Sequence, residues 1–265
     1  MYSKKICTFC NKTILRVGVN NILLAKTCIM FPNEFDNRII QFINQFVHKS
    51  VIFDEAIVFL SDCMVLKGGV LMTGIWWVWF KEKKTQRNSR EHIISTLVGS
   101  FVAMFIVRIL ATKIPFRARP ILNPENHLIS AYSFEKLDFN FLSSFPSDHA
   151  TLFFALSAGL FYSSRKLGTF ALVYTSLFIA FPRIYLGLHY PTDILAGATI
   201  GVVSVVVFNS KHFKDNISSK LLDMSMRKEH YFYPLFFLLT YQIADMFNST
   251  RNLLTFLGHW IKLWL

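Results

Sequence analysis

Apolar residues in this chain come mostly in long blocks rather than at amphipathic spacing. The blocks run over residues 63–80, 93–112, 149–162, 167–182, 193–208 and 231–247, and polar or basic stretches separate them. A helix needs about 20 predominantly apolar residues to cross the hydrocarbon of a bilayer, and only helices or closed barrels satisfy their backbone polar groups there. The pattern therefore predicts an all-α, polytopic membrane helix bundle with about six transmembrane helices. The first 62 residues read differently. Arg38-Ile39-Ile40-Gln41-Phe42-Ile43-Asn44-Gln45-Phe46 places apolar positions at helical spacing, which predicts amphipathic helices at the membrane interface, and 17–31 is apolar enough for one short extra span. Three regions follow: an interfacial segment over 1–62, a membrane core over 63–209, and a loop, final span and tail over 210–265.

Composition strengthens this picture. A chain of 265 residues that is 53% hydrophobic, with 28 Phe, is too apolar for a soluble domain of that size. Trp76-Trp77-Val78-Trp79-Phe80 reads as an aromatic belt at one membrane boundary. The net charge of +12 concentrates in the stretches 81–90, 163–166 and 211–230, so it is assigned to loops facing an anionic inner leaflet and not to nucleic acid. These three stretches fall on one side of the alternating spans. By the positive-inside rule that side is cytoplasmic, which puts 113–148 and 183–192 outside. The polar outer stretch 122–144 is long enough to act as a lid. No signal peptide is expected, because the basic N-terminus lacks a small-residue cleavage site. Cys7 and Cys10 form a lone C-x-x-C without the second pair a zinc site needs, so they and Cys28 and Cys63 read as ordinary thiols.

The candidate chemistry lies in two outer pieces. In Phe145-Pro146-Ser147-Asp148-His149-Ala150, a proline and a capping serine open an apolar run, which makes a helix start and an anion site. In the second piece Arg183, His189 and Asp193 precede and open another run. His189 and Asp193 stand four apart, so the carboxylate is placed to reach the ring and set its tautomer. Arg119-Pro120 supplies a third charged element near a span end, where charge is costly unless it serves a site or reaches the interface.

Taken in order, Arg119-Pro120, Pro146-Ser147-Asp148-His149, and Arg183 with His189 and Asp193 resemble the signature of the type-2 phosphatidic acid phosphatase and vanadium haloperoxidase superfamily. The Pro-Ser-Asp-His-Ala form is most similar to the bacitracin-resistance type of undecaprenyl-diphosphatase. Three positions depart from the family pattern. Thr112 stands where the family has a lysine, Asp148 where it has glycine, and Pro182 where it has serine.

The resemblance implies an active site at the extracytoplasmic ends of the helices. His189 would be the nucleophile, Asp193 its partner, and His149 the general acid and base, while Arg119, Arg183 and Ser147 would bind phosphate. Lys113, one residue out of register, and Asp148 join that phosphate-binding set. Lys67 and Arg117 are further candidates for the missing lysine contact. No carboxylate cluster has metal-ligand spacing, so neither metal nor cofactor is expected. The implied protein is a multi-pass enzyme of the cell (inner) membrane that hydrolyses a lipid-linked phosphate, with undecaprenyl diphosphate first. Phosphatidic acid, phosphatidylglycerol phosphate or a lipid A phosphate is the alternative substrate, and phosphotransfer the alternative reaction. From a different class, a non-catalytic lipid-phosphate binding or transport protein would need the arginines alone. A haloperoxidase is disfavoured by the spans.

Overall fold

The computed structural model describes residues 33–81, 86–134 and 143–264, with side chains as far as residue 257. Cys7, Cys10, Cys28 and the extra-span candidate over 17–31 lie outside the described residues. Among the described residues the fold is all-helical, with no strand. Helix α1 (Glu34–Asn44) is amphipathic, and Asn33 caps it by accepting from the Asp36 backbone N–H at 2.8 Å. Helix α2 (Val51–Asp62) is capped by Ser50. A π-helical turn, Val65–Gly69, and α3 (Val70–Lys81) follow. The apolar block over 63–80 is thus the second arm of a broken pair, Val51–Asp62 with Val65–Lys81, bent by 69°.

Helices α4 (Gln86–Lys113), α5 (Asp148–Ser163) and α8 (Pro191–Phe208) form the centre. Between the last two run α6 (Arg165–Tyr174), a π-helical stretch Thr175–Ala180, and the short α7 (Phe181–Tyr185). A Cβ on Gly159 would lie 2.0 Å from Thr96 Cγ2, and one on Gly99 would lie 3.1 Å from Val205 Cα. Only glycine permits such approach, the small-residue packing that membrane helices use where lipid supplies no hydrophobic drive. Arg108 pairs with Asp148 while Thr96 meets Gly159, so α4 runs antiparallel to α5. Beyond the centre lie α9 (Ser219–Arg227), α10 (Glu229–Ala244) and α11 (Asn248–Trp264).

By length and composition three helices among the described residues can cross a membrane: Gln86–Lys113, Arg165–Tyr185 and Pro191–Phe208. The bent pair makes a fourth. Helices α5 and α10 have 16 residues each, a rise of about 24 Å, shorter than the hydrocarbon they were expected to span. Phe101, Phe105, Phe170, Leu177, Val206 and Phe237 are exposed on the outer faces, as suits helices solvated by lipid. The three basic stretches meet at one end. Arg87 bonds Asp223 at 2.9 Å, Lys214 bonds Asn88 at 2.9 Å, and Lys81 and Gln86 share a small hollow with Ser163 and Ser164. The ends of α5 and α8 that carry His149 and Asp193 lie at the opposite end.

Candidate active site

The N-terminus of α5 is built by Ser147, whose hydroxyl accepts from the Ala150 N–H at 3.4 Å while its backbone N–H donates to the Asp193 carbonyl at 3.1 Å. That pairing locks the start of α5 to the start of α8. His149, the second residue of α5, places Nε2 2.5 Å from an Arg183 guanidinium nitrogen. Arg183 comes from α7, and its carbonyl accepts the backbone N–H groups of Leu188 and His189 at 2.9 and 3.2 Å. The His189 turn therefore hangs on Arg183. Gly187 makes that turn possible with φ +64°, and its carbonyl accepts from Ile121 at 2.9 Å, which binds the Arg119-Pro120 segment to the same turn.

His189 is 6% exposed and donates from Nδ1 to the Ser144 carbonyl at 2.8 Å, in the tautomer that leaves Nε2 free. This differs from the sequence expectation. The nearest Asp193 oxygen lies 3.8 Å from Nδ1, because that carboxylate closes the capping box of its own helix by accepting from the Tyr190 N–H at 2.8 Å. Its other oxygen accepts from Arg117. A carboxylate at the third helical position answers first to the unsatisfied N–H groups of its own terminus. Its charge still reaches the imidazole from 3.8 Å.

The cations converge on His149, which lies within electrostatic reach of Arg183, Lys67, His189 and Arg119. Lys67 and Arg183 share one acceptor, the Ser61 carbonyl, at 2.7 and 3.1 Å. Ser61 lies at the C-terminal end of α2, where unpaired carbonyls and the helix dipole favour positive charge. The Nε atoms of Arg119 and Arg183 are buried without a partner, donors that cost about 1–3 kcal/mol each unless a ligand satisfies them. Burial pushes the Arg119 guanidinium below its ordinary value, opposed by Asp148 and Asp193. The arrangement gathers buried guanidinium donors without partners beside one free imidazole nitrogen.

Three candidates are placed elsewhere. Arg117, taken as a phosphate contact, is buried between the carboxylates of Asp193 and Asp36 and stacks on the Tyr190 ring at 4.2 Å, so both its terminal nitrogens are engaged, while its Nε is buried without a partner as those of Arg119 and Arg183 are. Asp148, grouped with the phosphate-binding residues, turns to Arg108 at 2.6 Å, which relieves the repulsion a carboxylate would meet from phosphate. Lys113 is exposed at the last turn of α4, whereas Lys67 is buried beside Arg183 and His149. Sequence reasoning missed Asp36, Asp54 and the Ser144 carbonyl. Neither aspartate carries a local signal beyond its place on an apolar face, and a carbonyl carries none. Asp54 is fully buried and receives Tyr185 Oη at 2.5 Å and the His48 N–H at 3.1 Å. Among the described residues no group of His, Cys, Asp and Glu is placed to hold a metal. An apolar groove of about 470 Å³ lined by Leu97, Leu221, Phe232 and Leu235 contains none of the cluster and lies between α4, α9 and α10.

Residues 92–217 match the model of the PAP2 superfamily. Over that segment, just under half of its length, the chain is similar to the PAP2 superfamily. The PAP2 segment contains Arg119, Ser147, His149, Arg183, His189 and Asp193, while Lys67 and Asp36 enter the site from outside it. Among curated relatives, undecaprenyl-diphosphatase BcrC of Bacillus subtilis (strain 168) is 27% identical over 161 residues, 61% of this chain and 76% of that protein. Bacitracin transport permease protein BcrC of Bacillus licheniformis is 28% identical over 170 residues, 63% and 75% of the two chains. Lipid A 1-diphosphate synthase of Escherichia coli (strain K12) is 32% identical over 142 residues, 52% and 57%. No solved structure matches the chain. The PAP2 match and these relatives indicate a phosphatase-type hydrolase.

Proposed function

We propose that this protein removes the terminal phosphate of undecaprenyl diphosphate at the extracytoplasmic face of the cell membrane, through a phosphohistidine and without metal. The observation that carries the reading is the convergence of Arg119, Arg183 and Lys67 on His149, beside His189 with its Nε2 free. Nε2 of His189 attacks the terminal phosphorus, and the bond to the bridging oxygen breaks. His149, whose Nε2 accepts from Arg183 before substrate enters, takes up a proton as Arg183 leaves it for the phosphate and gives that proton to the bridging oxygen, so undecaprenyl phosphate leaves. Arg183 moves from His149 onto the phosphoryl oxygens as the diphosphate enters, and Arg119 and Lys67 grip the same group. The negative charge of Asp193 stabilises the positive phosphohistidine. Water, losing a proton to His149, then attacks phosphorus and releases inorganic phosphate, which restores His189.

The name of one relative, undecaprenyl-diphosphatase BcrC, favours this lipid. The three basic stretches gather at the end opposite the cluster, which favours an outward site by the positive-inside rule. Six spans follow if α5 and α10 cross with the three long helices and the bent pair, and residues 63–209 carry the catalytic core. The name lipid A 1-diphosphate synthase favours a second reading, in which a lipid phosphate replaces water at the phosphohistidine.

The test is phosphate release by the detergent-purified protein, with EDTA present, from undecaprenyl diphosphate beside phosphatidic acid and phosphatidylglycerol phosphate. We expect fastest release from the diphosphate and none from His189→Ala. A His189→Ala protein that still releases phosphate refutes the nucleophile. A folded wild type that only transfers phosphate to an added lipid supports the second reading.

A further inference from the structure

We propose that Asp36, delivered by the amphipathic helix α1, is a positioning residue of the active site that keeps the charge cluster behind His189 net negative. Arg117 is 3% exposed and joins two carboxylates, bonding Asp193 through one terminal nitrogen and Asp36 through the other at 2.5 Å. With Arg117 alone, the charge of Asp193 would be cancelled at the point where His189 needs it. Asp36 supplies the second negative charge, so the buried trio carries −1. Its oxygens also accept from the Thr192 N–H at 3.0 Å and the Thr192 hydroxyl at 2.6 Å, which fixes the first turn of α8 from which Asp193 rises.

The negative trio matters because the rest of the site is positive. Arg119 comes from the segment after α4, Arg183 from α7, Lys67 from the π-helical turn and His149 from α5. The remaining carboxylates near these cations are Asp148, Asp62 and Asp245. Asp148 pairs with Arg108, Asp62 lies within electrostatic reach of Lys67 and Arg183, and Asp245 within reach of Lys67. The trio is what opposes this field at the imidazole. The amphipathic segment is thereby part of the site, although it lies outside the PAP2 match.

The proposal rests on His189 as the nucleophile, and its test separates the two. Full-length protein labelled with 15N-histidine is titrated in detergent micelles, the His189 signal being assigned by its loss in His189→Gln. Asp36→Asn keeps an acceptor for Thr192 and removes one negative charge, so the His189 midpoint should fall by about half to one pH unit. Arg117→Gln removes the opposing charge and should raise it by about as much. The acid limb of phosphate release from undecaprenyl diphosphate should move in the same two directions, with kcat falling in Asp36→Asn and KM held. A merely structural Asp36 would lower activity without moving the midpoint. Shifts that are absent, or of one sign in both variants, overturn the proposal. If Arg117→Gln does not fold, Asp36→Glu decides: it must keep the wild-type midpoint while Asp36→Asn moves it downward. Phosphate release by His189→Gln would refute the nucleophile alone, because the midpoints need no turnover.

Discussion

Replacing Gly197 by alanine tests whether the approach of α8 to α5 sets the catalytic geometry. A Cβ there would lie 2.5 Å from the Ser147 carbonyl oxygen and 2.9 Å from Thr151 Oγ1. Ordinary contact begins near 3.4 Å, so the helices must part by about 0.9 Å at this level. Backbone forms the nearer wall, and it cannot rotate away as a side chain would. Ser147 caps the helix that carries His149, and Asp193 lies four residues before Gly197, so the separation moves the acid away from the nucleophile. A misplacement of about 1 Å costs about 10²-fold in rate, equivalent to about 2.7 kcal/mol of barrier. Overpacking also costs about 1–3 kcal/mol of stability. The assay is kcat and KM for phosphate release in detergent, with the unfolding midpoint from tryptophan fluorescence. Gly74→Ala is the control, since its Cβ would meet nothing closer than 3.6 Å. A folded Gly197→Ala protein with kcat within about threefold of wild type would refute the reasoning, as would an equal loss in Gly74→Ala.

Lys67→Met should lower kcat/KM by about 10²-fold while Lys113→Ala leaves it nearly unchanged, read from the same phosphate-release assay; the reverse ranking would return the lysine role to the end of α4. Arg108→Ala frees the Asp148 carboxylate to face the phosphate and should raise KM about tenfold, and the Arg108→Ala/Asp148→Asn double variant should recover most of that loss. Asp54→Asn weakens the acceptor for Tyr185 and the His48 N–H, and should cost about 1–3 kcal/mol, seen as a lower unfolding midpoint with little change in the KM of the residual folded protein.

The sequence by itself determined the all-helical membrane character and the resemblance to the PAP2 superfamily. Both are local properties: apolar blocks long enough for lipid admit few other solutions, and the Arg-Pro, Pro-Ser-Asp-His and Arg–His–Asp groups keep their meaning at short spacing. The capped start at Ser147 was legible for the same reason, because a cap is made within three residues of itself. Partner choice was not legible. His189 was expected to lean on Asp193, but the carboxylate satisfies its own helix terminus and the ring turns to a carbonyl 45 residues away. Arg117 looked available in the chain and is captured by carboxylates 76 and 81 residues distant, one of them on an amphipathic helix that seemed peripheral. Lys67 joined the cluster only because the chain bends by 69° beside it. A buried donor or acceptor must find a partner wherever packing brings one, and here the glycine faces of α4, α5 and α8 decide which segments come close enough. That choice belongs to the tertiary structure.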